Sequence, residues 1–211
     1  MIYVCSLLIH LTLNQKVNGT MQERIKVWDA PLRIFHWILV VSFFTAYMTE
    51  EDFLETHILA GYVVFGLLPL RLLWGFIGSN YARFREFVCG FQTAFHYVQS
   101  LCKGNAKRYI GHNPAGALMI VIMLLFLLLT TVSGFAVYGA DQQAGPLYFI
   151  ASTQKENWEE LHEFFANVTL GLVIIHVIGV ITESILHREN LISAMFHGYK
   201  NVKTSQLDKI D

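Results

Sequence analysis

The chain has 211 residues, of which 54% are hydrophobic, 14% aromatic and only 15% charged, with a net charge of −1 at neutral pH. Soluble domains carry about 25% charged residues, so an ordinary soluble domain is excluded, and the balanced charge offers no basic surface for nucleic acid. Cys5, Cys89 and Cys102 form no CxxC or CxxCH spacing, which argues against a zinc cluster, an iron–sulfur site and a covalently attached c-type haem.

Residues 1–20 read as an N-terminal extension, with Met21 an equally good start. Their apolar run, 2–13, is too short to span a membrane and lacks the basic residues that precede a signal peptide's apolar core. His10 lies in this stretch and has no functional reading. A four-helix unit over 21–202 follows, with a tail over 203–211.

The first span is expected over about 31–49. Asp29 before Pro31 is a helix start, a capping side chain followed by proline in the first turn. His36 sits one turn inside. The short acidic link from Glu50 to Glu55 forces an antiparallel neighbour, the second span over about 56–77. It carries His57 in its first turn, Gly61 one turn later on the same face, and Arg71 and Trp74 near its far end. The polar stretch 78–111 contains Arg83, Arg85, Lys103, Lys107 and Arg108, and its middle, 84–101, reads as an interfacial helix.

The third span, about 112–138, opens on His112-Asn113-Pro114. A loop over 139–157 contains the turn signal Gly145-Pro146. The fourth span, about 158–186, carries His162 and His176, and an amphipathic piece over 189–202 is expected to lie along the membrane surface. Basic residues gather before the first span, between the second and third, and after the fourth. The positive-inside rule therefore places both termini and the long middle loop in the cytoplasm. The expected fold is an all-α integral membrane protein, a four-transmembrane-helix bundle with both termini cytoplasmic.

Fourteen residues, close to four turns, separate His162 from His176, so both rings leave one helix face about 21 Å apart along the axis. That nearly spans a hydrocarbon core about 30 Å thick. By depth, His57 pairs with His162 at the outer side and His36 with His176 at the inner side. Two pairs at two depths is the arrangement that two stacked, bis-histidine haems require, and six-coordinate ligation suits electron transfer rather than oxygen chemistry. Single intramembrane histidines also occur as packing residues or along water-filled paths, but four at matching depths on three helices favour ligation.

Gly61 and Gly171 read either as helix-contact glycines or as room for a flat macrocycle. Arg71 reads either as the partner of a propionate or as a positive-inside anchor. His112 reads either as a quinone or propionate contact or as part of a helix start. His96, His187 and His197 read as interfacial residues.

The pieces Val27-Trp28-Asp29-Ala30-Pro31-Leu32-Arg33-Ile34-Phe35-His36-Trp37, His57-Ile58-Leu59-Ala60-Gly61-Tyr62, Arg71-Leu72-Leu73-Trp74-Gly75-Phe76-Ile77-Gly78 and Gly111-His112-Asn113-Pro114-Ala115-Gly116-Ala117, with the His162 and His176 pair, resemble the prokaryotic cytochrome b-561 family. That family includes the b-type cytochrome subunits of nickel–iron hydrogenases and thiosulfate reductases. The resemblance covers about residues 26–200. It implies two non-covalent b haems, ligated by His36 with His176 and by His57 with His162, in agreement with the pairing by depth.

The resemblance further implies electron exchange between the membrane quinone pool and a periplasmic redox protein, either a small c-type cytochrome or a reductase or hydrogenase. The chain would act in membrane lipid as a homodimer or as a subunit of a larger complex. Both a relay for a partner enzyme and direct quinone-linked oxidoreduction fit it, and no catalytic residue is assigned. The acidic residues Glu50 to Glu55, Glu156, Glu159 and Glu160 read either as a steering surface for a basic partner or as ordinary outer-loop acidity.

Two alternatives stand beside this reading. One is outer-face oxidation of a small reductant such as superoxide, with quinone as acceptor. The other is a divalent-metal transporter, against which stand the lack of paired carboxylates in the spans and the two separate depths of the histidines.

Overall fold

A computed structural model of the chain describes residues 22–50, 52–151 and 155–203. The expected extension over 1–20, with His10, and the tail from residue 204 lie outside the described residues. A short strand β1 (Gln22–Lys26) leads into helix α1 (Ala30–Met48), and α2 (Leu54–Ile77) returns. After a 3₁₀ turn at Asn80–Ala82 come α3 (Phe84–Phe87), α4 (Phe91–Cys102) and α5 (Pro114–Gln142). The described residues end with α6 (Tyr148–Ala151), α7 (Lys155–His187), α8 (Leu191–His197) and strand β2 (Tyr199–Lys203). Helices α1, α2, α5 and α7 are the four that are long and apolar enough to cross a membrane.

The helix starts follow their capping chemistry. The Asp29 carboxylate accepts the Leu32 N–H at 2.9 Å, with Pro31 in the first turn of α1. It also accepts Trp74 Nε1–H at 3.0 Å and the Ser79 hydroxyl at 2.6 Å, so the same carboxylate ties the start of α1 to the end of α2. Asn113 caps α5 by accepting the Gly116 N–H at 2.7 Å. The two ends of the bundle differ. One, the sheet end, holds β1, β2, α3, α4 and α8; the other, the hairpin end, holds the α1–α2 and α5–α7 connections.

Two expectations change in the structure. The open loop over 139–157 shortens, because α5 continues to Gln142, α6 forms within it, and Lys155 pairs with Asp141 across the gap. The surface helix over 189–202 stops at His197. Gly198, at φ +89°, turns the chain where an added Cβ would lie 2.5 Å from the Trp28 carbonyl oxygen, so only glycine fits. The remainder, β2, pairs antiparallel with β1 in the register Gln22 opposite Lys203 to Lys26 opposite Tyr199. The single helix expected over 84–101 is divided into two, α3 and α4.

Helix α7 packs along α5, α1 along α2, and α2 against α5, whereas neither α1 nor α2 packs closely on α7. The bundle is therefore open along the faces that carry the histidines. Between the two histidine levels Phe43, Val64, Leu68 and Leu127 form a buried apolar layer, joined by Leu170 and Val173 of α7. At the sheet end Val27, Trp28, Leu32, Ala82 and Ala194 form a second buried cluster.

Candidate functional site

Toward the hairpin end, His57 from the first turn of α2 and His162 from α7 stand with ring centroids 6.0 Å apart and planes at 90°. His57 Nδ1–H donates to the Ala46 carbonyl at 2.9 Å, and His162 Nδ1–H donates to the Thr130 carbonyl at 2.9 Å with Ser133 Oγ 3.2 Å away. A carbonyl only accepts, so the proton sits on Nδ1 of each ring and leaves Nε2 with the lone pair that binds a metal. Metal–imidazole bonds of about 2 Å on both sides of one ion put ring centroids about 6 Å apart, which the observed spacing matches.

A cleft opens beside these rings, lined by Phe43, Tyr47, Gly61, Tyr62, Phe135 and Tyr138 among others. It is apolar and walled by aromatics, as a flat, mostly hydrophobic group requires. An added Cβ at Gly61 would meet nothing within 4 Å. Gly61 therefore faces open space rather than a neighbouring helix. Gly134 is the opposite case, since its Cβ would stand 2.9 Å from His162 Cε1 and 3.3 Å from Nδ1.

Toward the sheet end, His36 of α1 and His176 of α7 lie close enough to interact electrostatically. His36 Nδ1 is buried without a hydrogen-bond partner, and its ring stands edge-on to Trp37 at 5.1 Å. An orphaned buried nitrogen is costly, and a group bound between α1 and α7 would satisfy it. Gly171 lies between the two levels of α7, and an added Cβ there also meets nothing within 4 Å.

His112 packs beside this level, between the rings of Trp28 at 4.6 Å and Phe87 at 4.4 Å, with Nδ1 buried and unbonded. Burial first, then Arg71, Lys200 and His176, push its pKa down to about 3, so it is neutral at pH 7. Arg71 is only 3% exposed; its two terminal nitrogens donate to the Ala82 carbonyl at 3.2 Å and its guanidinium covers the Phe84 ring. Of its five donors, those two clamp the turn after α2.

The remaining histidines stand apart. His96 is exposed, His197 Nδ1 accepts the Tyr199 N–H at 2.9 Å, and His187 faces Glu183. Among the described residues no three His, Cys, Asp or Glu side chains converge on a point that would hold a bare ion. The acidic residues at the hairpin end, Glu50, Asp52, Glu55, Glu156, Glu159 and Glu160, are exposed.

Sequence reasoning did not single out the seat of His162. Thr130, Ser133 and Gly134 form a small, polar interruption in the otherwise Leu- and Ile-rich α5. That interruption was the available signal.

A family model described as prokaryotic cytochrome b561 matches residues 27–198. The chain is 28% identical to the probable Ni/Fe-hydrogenase B-type cytochrome subunit of Azotobacter vinelandii, covering 89% of this chain and 92% of that one. It is 28% identical to the counterpart from Rhizobium leguminosarum bv. viciae, covering 92% and 98%. With the probable Ni/Fe-hydrogenase 1 B-type cytochrome subunit of Escherichia coli (strain K12) the identity is 24%, covering 86% and 92%. No solved structure matches it.

Proposed function

We propose that this chain, which belongs to the prokaryotic cytochrome b561 family, carries electrons between a quinone of the membrane and a redox protein at the periplasmic face, through two haem b groups held at two depths. That it is a multi-pass protein of the bacterial inner membrane, a b-type cytochrome that transfers electrons by haem b, follows from the family and the four apolar helices. The number of haems, their ligands and the partners are our reading. The observation that carries it is the facing of His57 and His162 across an open cleft, with both Nδ1 atoms tied to backbone carbonyls.

In this reading His57 with His162 hold one haem and His36 with His176 the other. When bound, each haem supplies an iron that takes up and returns one electron at a time. The Ala46 and Thr130 carbonyls keep Nε2 of the outer pair unprotonated and aimed. Gly61 and Gly171 leave room for the macrocycles, and the Phe43–Leu127 layer excludes water between the two levels. Arg71 keeps donors for a propionate beyond those on Ala82, and the neutral His112 is a candidate contact for a propionate or a quinone. Basic residues gather toward the sheet end, which the positive-inside rule makes cytoplasmic.

The relatives' printed names favour a hydrogenase as the periplasmic partner and a larger complex over a homodimer. The exposed carboxylates of the hairpin end equally suit a basic small c-type cytochrome. A pyridine haemochrome count with a dithionite-reduced minus oxidised spectrum tests the reading. Two b haems per chain with low-spin bands are expected, and a fully folded chain without haem would overturn it.

A further inference from the structure

The inner stripe of α7 continues past the histidines. His162, Thr169, His176 and Glu183 recur every seventh residue, so they share one helix face. Glu183 lies two turns, about 10.5 Å along the axis, beyond His176 toward the sheet end. It is 8% exposed, while the other carboxylates of α7, Glu156, Glu159, Glu160 and Glu163, are all exposed at the opposite end. A buried carboxylate is costly unless it is paired or carries a proton.

Its neighbours are a phenol and an imidazole. The Tyr97 hydroxyl from α4 donates to Glu183 Oε1 at 2.6 Å. His187 Nε2 stands 3.3 Å from Oε2, at ion-pair distance without an aligned hydrogen bond. Lys200 of β2 also faces it, and the neighbouring Glu189 pairs with Arg108 and, at 3.8 Å, with Lys200. Tyr109 lies behind Tyr97 at a ring separation of 5.6 Å. Burial and then Glu183 raise the Tyr97 hydroxyl above the usual tyrosine range, so it remains a proton donor in the hydrogen bond at any working pH.

We infer that Glu183 is a redox-linked proton acceptor that takes up a cytoplasmic proton through His187 when the His36–His176 site gains an electron. The inference rests on the electron-carrier reading above. The balance is one electron and one proton. The electron comes from the reduced periplasmic donor or, in the test, from dithionite. An O–H bond forms on the Glu183 carboxylate as a proton from water at the sheet end is passed across the His187 imidazole, which ends as it began. The charge brought by the electron is thereby offset two helical turns away.

The test uses the haem-loaded full chain in detergent. Potentiometric titrations are run on either side of neutrality, together with redox-difference infrared spectra. In the wild type the midpoint of the inner site falls as pH rises, toward a limit of about 59 mV per tenfold change in proton concentration for a one-electron couple. A protonated-carboxyl carbonyl band appears on reduction. In Glu183→Gln the inner site loses this slope, the band disappears and the outer site is unchanged. Tyr97→Phe keeps the carboxylate and shifts the band, which covers the case in which Glu183→Gln fails to fold. A pH-independent wild-type midpoint, or the same slope and band in Glu183→Gln, would overturn the inference while leaving the haem count intact. Failure to bind haem would instead remove the reading on which it rests.

Discussion

Replacing Gly134 by alanine probes how tightly the outer site is built. The added Cβ would stand 2.9 Å from His162 Cε1, against about 3.5–4.0 Å for carbon atoms in contact. The ring must therefore withdraw by about 0.6–1 Å. It is held by the Thr130 carbonyl at 2.9 Å, with Ser133 Oγ at 3.2 Å, so withdrawal stretches the bond that sets its tautomer. Overpacking of this size costs about 1–3 kcal/mol, and at 1.4 kcal/mol per factor of ten this weakens retention of the outer group by about 5- to 150-fold. The inner level, four turns away, is untouched. The expected result is a haemochrome count falling from two toward one on washing, with helix content by circular dichroism unchanged. An unaltered count and an unaltered low-spin spectrum would refute the assignment of His162 to a ligand seated on α5.

Four further substitutions separate the other parts of the reading. Gly61→Phe projects a ring into the cleft from a position where a Cβ meets nothing, so the span should fold normally and lose the outer haem. Normal haem content in that variant would place the group elsewhere. His57→Ala and His176→Ala should each remove one haem and leave the other's spectrum intact; loss of both from either variant would contradict two separate levels. Asp29→Ala removes the cap of α1, worth about 0.5–2 kcal/mol, and strands Trp74 Nε1 and the Ser79 hydroxyl, lowering the melting temperature in detergent without changing haem count. Burial alone would raise the Asp29 carboxyl, but hydrogen bonds from Ser79, Leu32 and Trp74 together hold it below the ordinary value of an aspartate. Its contribution is thus present above that value and lost as pH falls below it through the folded pKa. Wild type and Asp29→Ala should converge in stability only in that acidic window.

The spans were legible because each signal is local. Asp29 with Pro31 and Asn113 with Pro114 mark helix starts through side chains that cap amides three residues away, and four apolar runs of membrane length need no partner to be recognised. The two-depth order of His36, His57, His162 and His176 follows from span direction alone. What did not show was anything requiring a partner far along the chain. The pairing of residues 22–26 with 199–203 joins two short polar segments far apart in the chain, and the Thr130–Gly134 seat of His162 depends on which face of α5 meets α7. The burial of Glu183 likewise depends on a distant segment, α4, which places the Tyr97 hydroxyl against it.

The β1–β2 ribbon bears on how the molecule is assembled. Its second strand is the last described segment to leave the ribosome, so the ribbon closes only after all four spans have been made. Until then α1 reaches α7 through α2 and α5, because α1 and α7 do not pack closely on each other. Closure adds the Val27 and Trp28 amide bonds to the Gly198 carbonyl and the stacking of Phe196 on Trp37 at 4.2 Å, fixing the gap between the two helices that carry His36 and His176. The order of synthesis therefore leaves the level of His36 and His176 unlatched while the spans are being made and latches it last.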